Sequence, residues 1–115
     1  MEQFTQIIDI YLLNHDTYEN GKVEFDCEYG ELIFFKGNPN MLTLFGIYIF
    51  PEHREKGFCR NILQYLIDKS LGKFKYVFVE SVLSKVLYEY LLRFKYKNGK
   101  FKKMYDGFLY KVNMK

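Results

Sequence analysis

IFPEHREKGFCRNIL, residues 49–63, carries an apolar strand end, a charged turn and the opening of a helix in one short stretch. Pro51 has no N–H to give to a ladder, so it cannot continue a central strand. After the turn, Ile62, Leu63, Leu66 and Ile67 fall at helical spacing, and Gly72 is a natural C-terminal stop. The reading is strand, turn, helix.

Working upstream, residues 41–50 form the strand, set off from a β-rich run at 32–36 by the turn formers Gly37-Asn38-Pro39-Asn40. From Lys22 the period is two: Val23, Phe25 and Cys27 alternate with Glu24, Asp26 and Glu28 until Tyr29-Gly30. Residues 3–14 place Phe4, Ile7, Ile8, Tyr11 and Leu12 on one helical face. Downstream, Tyr76, Val77, Phe78 and Val79 follow in succession within 75–80, the pattern of a strand covered on both faces. A helix follows over about 83–94, with Val86, Leu87, Tyr90, Leu91 and Phe94 on one face. Asn98-Gly99 and Asp106-Gly107 mark two hairpin turns and the closing strands.

The resulting order is α, β, β, β, α, β, α, β, β. A crossover helix forces its flanking strands parallel while the meander stays antiparallel, so the fold class is α+β with a mixed sheet. With 115 residues, residues 1–115 make one domain. Hydrophobic residues at 49% and aromatics at 20% supply a core without help from metals or disulfides. No internal repeat or low-complexity segment interrupts it.

Seventeen Lys and Arg against fourteen Asp and Glu give a formal +3, too small to demand a nucleic-acid partner and sufficient for an anionic small ligand. Lys95, Lys97, Lys100, Lys102 and Lys103 cluster near the C-terminus. They read either as a solvated hairpin or as an electropositive rim for an acidic or phosphorylated partner. Cys27 and Cys59 stand far apart, with no CxxC spacing and no nearby His ligands, so neither a disulfide framework nor a metal site is indicated. MEQFTQIIDI is acidic rather than basic ahead of its apolar residues, and no apolar run reaches membrane-spanning length. No export, no membrane anchor and a cytoplasmic location are the expectation.

The chemistry lies in the turn. A helix N-terminus offers unsatisfied N–H donors and the positive end of its dipole, which suit a phosphate or pyrophosphate. Gly57 lets backbone approach the anion without a Cβ in the way, and Arg54, Lys56 and Arg60 add charge around the same point. By itself, a charged turn with one glycine equally describes an ordinary helix start with solvated basic residues. No GK[ST] follows and no GxGxxG is present, so it is neither a Walker loop nor a dinucleotide fingerprint.

The order of Ile49, Pro51, Arg54, Gly57, Cys59, then Ile62 and Leu63, resembles motif A of the GNAT superfamily of N-acetyltransferases, whose core is [QR]xxGx[GA]. Cys59 stands where Gly or Ala is usual. A second block, Ser81, Ser84, Leu87-Tyr88 and Leu91, is similar to the family's motif B, roughly NxxAxxLYxxLGF. There Ser81 replaces Asn, Ser84 replaces Ala, and Leu92-Arg93 replace Gly-Phe. The two blocks span about half of the chain, which is short for the family, with one N-terminal helix missing or reduced.

The resemblance implies a GNAT-like fold and acetyl transfer from acetyl-CoA, without a metal, to a primary amine on a small molecule or a protein. It implies that Tyr48 and Ile49 contact pantetheine, that Gly57, Phe58 and Cys59 give N–H groups to the pyrophosphate, and that Arg54, Lys56 and Arg60 flank it. Tyr88 holds the position of the acid that protonates the departing thiolate, a role a phenol of pKa about 10 can fill at neutral pH. The structural reading of Tyr88 competes with this, since the chain holds eleven tyrosines. The strand before the turn offers no carboxylate, so Glu80 at the end of the neighbouring strand is the candidate base, with Glu31 or a water relay as alternatives. His53 reads as an exposed turn residue beside the phosphates, and Cys59 is not a nucleophile in a family that transfers acetyl directly. Two other functions stay open: an acyl-CoA-binding or partner-binding protein with reduced turnover, and a nucleic-acid-modifying relative. The amine acceptor and the choice between monomer and homodimer are not legible.

Overall fold

A computed structural model describes residues 2–80 and 84–112. Helix α1 (Glu2–Leu13) buries Phe4, Ile7, Ile8 and Tyr11, the face its spacing predicts. Three strands follow as an antiparallel meander: β1 (Gly21–Cys27), β2 (Gly30–Lys36) and β3 (Met41–Ile49). Helix α2 (Phe58–Ser70) then crosses over to β4 (Tyr76–Val79), which lies parallel to β3. Helix α3 (Lys85–Arg93) leads to β5 (Lys95–Tyr96), β6 (Gly99–Met104) and β7 (Gly107–Lys111). The fold is α+β, with one mixed seven-stranded sheet in the order β1-β2-β3-β4-β7-β6-β5.

The two-residue β5 adds a strand to the expected order, and both closing turns sit one residue earlier than their glycines implied. Lys97 and Asn98 take the left-handed conformation at φ 48° and 65°, and Tyr105 does so at 51°, while Gly99 and Gly107 begin strands. The glycines are needed there for contact: a Cβ on Gly99 would overlap the Tyr110 ring, and one on Gly107 would overlap the Val79 carbonyl.

All three helices lie on one face of the sheet. Tyr11 of α1 stacks on Phe34 of β2, with ring centroids 4.0 Å apart. The Tyr65 hydroxyl of α2 donates to Asp9 of α1 at 2.7 Å, and Phe4 meets Phe58 edge-on, so α1 and α2 are neighbours. Tyr96 donates to Asp68 of α2, and Lys97 pairs with the same carboxylate at 2.7 Å, which fastens the β5–β6 hairpin beside α2. Tyr88 of α3 and Phe94, just past its end, pack on Phe108 and Phe101. Between these layers Leu32, Phe34, Leu44, Val77 and Phe108 are fully buried.

Strand β4 departs from expectation. Val77 and Val79 are buried under the helices, whereas Tyr76 and Phe78 on the opposite face are only half-buried, because no helix among the described residues crosses that side.

Candidate functional site

Strands β3 and β4 pair from Met41↔Tyr76 to Leu44↔Val79, and the Glu80 N–H still donates to the Leu44 carbonyl at 2.9 Å. Beyond Leu44, β3 continues to Ile49 paired only with β2 among the described residues. A β-bulge lies at this point. Leu44 pairs with Phe34 and Gly46 with Ile33, so Phe45 has no opposite residue. An extra residue bends its strand and sharpens the local twist, and here it does so at the point where β3 leaves β4.

The separation opens a cleft of about 740 Å³. Ile47, Tyr48 and Ile49 form its β3 wall. The N-terminal half of α3 forms the other, with Ser84, Val86, Leu87 and Tyr90. At its end lie the charged turn and the first turn of α2, including Arg54, Glu55, Gly57, Phe58 and Cys59. Val86 is 79% exposed and Tyr48 45% exposed. The apolar face expected for α3 is therefore divided: Leu91 and Phe94 enter the core, Leu87 and Tyr90 pack partly on it while bordering the cleft, and Val86 faces the cleft alone.

The turn is held by its own backbone. Pro51 opens a short 3₁₀ turn, Pro51–His53, in which the His53 N–H donates to the Phe50 carbonyl at 2.8 Å. The Phe50 N–H donates to Tyr29, and the His53 ring stands edge-on to the Tyr29 ring at 4.8 Å. Arg54 Nε donates back to the Ile49 carbonyl at 2.8 Å, and its guanidinium lies 5.3 Å from the Tyr48 ring centroid. Glu55 and Gly57 both have positive φ, at 64° and 78°.

Gly57 is the N-cap of α2 and has no side chain with which to cap it. The first intrahelical bond runs from the Asn61 N–H to the Gly57 carbonyl, so the N–H groups of Phe58, Cys59 and Arg60 precede the helical ladder. No acidic residue occupies the first turn of α2, and a Cβ built on Gly57 meets nothing within 4 Å. Open space, uncapped donors and the positive end of a thirteen-residue helix converge there.

Tyr48, Ile49, Arg54, Gly57, Phe58 and Cys59 are thus brought together. Four other candidates stand outside the lining. Lys56 Nζ lies 3.2 Å from His53 Nδ1. Arg60 borders a separate shallow depression with Arg93 and Lys95. Glu80 sits where β3 and β4 part. The Tyr88 ring packs edge-on against Phe108 at 5.0 Å and is half-buried. Ser81 lies outside the described residues.

Sequence reasoning passed over Tyr90, Val86 and Ser84 as cleft residues. Burial pushes the Tyr90 phenol up, with Cys59 adding to the rise and Arg60 opposing it. Burial also raises the Cys59 thiol to about 11, so it stays protonated at neutral pH. Ser84 caps α3, its Oγ accepting from the Leu87 N–H at 3.3 Å. Helical spacing had placed Val86 and Tyr90 on the apolar face of α3, but spacing does not say what covers such a face.

No family model matches this chain, and no curated protein matches it. Solved structures similar to it include two acetyltransferases. One is a provisionally named acetyltransferase from Exiguobacterium sp. 255-15, at 12% identity and a TM-score of 0.49, over 90% of this chain and 72% of that one. The other is spermidine N-acetyltransferase from Vibrio cholerae, solved in complex with CoA and spermine, at 16% identity and a TM-score of 0.45, over 90% of this chain and 70% of that one.

Proposed function

We propose that this chain is a GNAT-like N-acetyltransferase that moves an acetyl group from acetyl-CoA to a primary amine. One observation carries the reading: the cleft beside the Phe45 bulge runs along β3 backbone that, among the described residues, pairs on one side only, and it ends on the uncapped N-terminus of α2. A pantetheine arm is an extended amide chain, which an unpaired strand edge accepts as it would another strand. A pyrophosphate is the anion that a helix N-terminus with an open glycine accommodates. The apolar walls at Ile47, Val86 and Leu87 fit the arm's methylene and gem-dimethyl groups.

In the reaction, the amine lone pair attacks the thioester carbonyl and the carbon–sulfur bond breaks. The amine's proton goes to Glu80 or to water, and the thiolate takes a proton from a phenol. Tyr88 is the residue at the family's acid position. Tyr90, whose phenol is held protonated and borders the cleft, is the second candidate. Cys59, with its raised pKa, is a wall residue and not a nucleophile.

The packing of Tyr88 on Phe108 favours one other reading, an acyl-CoA-binding protein without turnover. Product formation across a panel of amines separates the two, with Tyr88→Phe and Tyr90→Phe assigning the acid. The cofactor claim is tested by calorimetric titration of acetyl-CoA into wild type and Gly57→Glu. Wild type should bind saturably, and Gly57→Glu should lose at least tenfold in affinity through the side chain and charge it places over the helix N-terminus, about 1.4 kcal/mol. No binding to wild type at millimolar acetyl-CoA would falsify the reading.

A further inference from the structure

Three cations meet at the shallow depression between α2 and the end of α3. Arg60 comes from the first turn of α2, Arg93 from the last turn of α3 and Lys95 from the start of β5, and with Tyr90 and Phe94 they enclose about 330 Å³. All three are exposed. Among the described residues none of them makes an ion pair or a side-chain hydrogen bond, and no carboxylate borders the depression. Other cations nearby are engaged: Arg54 donates to the Ile49 carbonyl, Lys56 lies against His53, and Lys97 pairs with Asp68.

The helix dipole explains only part of this cluster. A basic residue in the last turn of a helix suits the negative end of its dipole, and Arg93 is so placed. Arg60 is placed the opposite way, at the positive end of α2, where a cation is disfavoured. Like charges gathered at one depression also repel one another, and an anion seated among them offsets both costs.

The depression adjoins the cleft. Tyr90 borders both. Burial raises its phenol, Cys59 of the cleft adds to the rise and Arg60 of the depression opposes it, so both lie within electrostatic reach of one ring. Arg60 also follows Cys59 directly: its N–H belongs to the uncapped first turn of α2, while its side chain borders the depression. An anion on that turn thus has a second cationic seat beside it.

CoA carries two anionic groups on one ribose, a pyrophosphate on the 5′ oxygen and a phosphate monoester on the 3′ oxygen. A pyrophosphate on the N-terminus of α2 holds the 3′-phosphate within a ribose's width of it. We propose that the depression of Arg60, Arg93 and Lys95 seats the 3′-phosphate of CoA, an assignment that rests on the acetyl-CoA reading above. A phosphate monoester is close to dianionic at neutral pH and offers three acceptor oxygens. Two guanidinium forks and an ammonium match that charge and geometry. The consequence is specificity: the protein selects CoA over an otherwise identical thioester without the 3′-phosphate.

Calorimetric titration with acetyl-CoA and with acetyl-dephospho-CoA, which lacks only that phosphate, tests this. Wild type should bind acetyl-CoA about tenfold tighter or more, since hydrogen bonds between charged groups are the strong ones. The margin should narrow as salt is raised. Arg93→Ala/Lys95→Ala, with its fold confirmed by circular dichroism, should bring the two affinities together by weakening acetyl-CoA. Wild type that binds both thioesters equally overturns the assignment and leaves the acetyl-CoA reading standing, whereas wild type that binds neither overturns both. A preference that survives intact in the double variant also overturns it, because the phosphate then sits on other residues.

Discussion

Gly57 shows how one residue serves two requirements. Its φ of 78° starts α2 from a turn that an L side chain enters only at a cost, and its missing Cβ leaves the space above the helix N-terminus open. Sequence alone could name it but could not separate a glycine needed for backbone conformation from one needed for access. At Gly99 and Gly107 the same ambiguity misplaced two turns by one position. Cys59, two residues on, yields a direct expectation. With its thiol raised from 9.0 to about 11, the thiolate fraction at pH 8 falls roughly a hundredfold, and alkylation slows in proportion. Mass spectrometry of iodoacetamide adducts should show Cys59 reacting far more slowly than glutathione, and a rate equal to glutathione's would refute the account. His15 gives the pH counterpart. Burial, then Lys36, lowers its pKa below 6.5, while Asp16 partly opposes them, and its ring stands edge-on to Tyr11 and Phe74. A depressed folded-state pKa means the unfolded chain takes the proton first. Stability from neutral His15 is therefore full above about pH 6.5 and is lost as pH falls toward the folded value. Melting temperatures at pH 7.5 and 5 should drop more for wild type than for His15→Gln.

Among the elements, the meander and the crossover were legible because their signals are local. Period-two alternation marked β1, and Pro51 and Gly72 punctuated the run into and out of α2. The bulge at Phe45 was not legible. Residues 41–50 read as an uninterrupted strand, and only pairing with β2 shows that one position has no opposite. That hidden residue lies beside the last β3–β4 pair. Helix α3 was legible as a helix but not as a wall of the cleft. It has nine residues, with Leu91 alone fully buried, so its stability leans on the Ser84 cap. Ser84→Ala should cost about 1 kcal/mol, read as a lower melting temperature. Ser84→Asp should restore stability while weakening acetyl-CoA binding, because it adds a negative charge at the cleft. An unchanged melting temperature in Ser84→Ala would show that the cap contributes nothing.

For the whole molecule, burial is uneven, and ligand binding should redistribute protection accordingly. The centre of the sheet, β2, β3, β4 and β7, is packed under the helices through Phe34, Leu44, Val77, Val79 and Phe108, all within 2% of full burial. Its amides open only with global unfolding. The N-terminal half of α3 lies over an open cleft, with Val86 facing solvent or ligand and Leu87 only partly packed on the core. Its amides exchange through local opening at far lower free energy. A ligand that spans the β3 edge, the α2 N-terminus and this half of α3 ties the least stable helix to the most stable part of the sheet. At a hundredfold excess over its dissociation constant, such a ligand stabilises the bound state by about 2.7 kcal/mol. Hydrogen exchange with and without acetyl-CoA should therefore slow by up to about a hundredfold at residues 86–91 and 58–60. The β5–β6 hairpin, fastened to Asp68 at the far side of α2, should change little below the global limit. Protection that appeared at the hairpin and not at α3 would move the ligand out of this cleft, to the depression of about 480 Å³ beside Lys75 and Lys111.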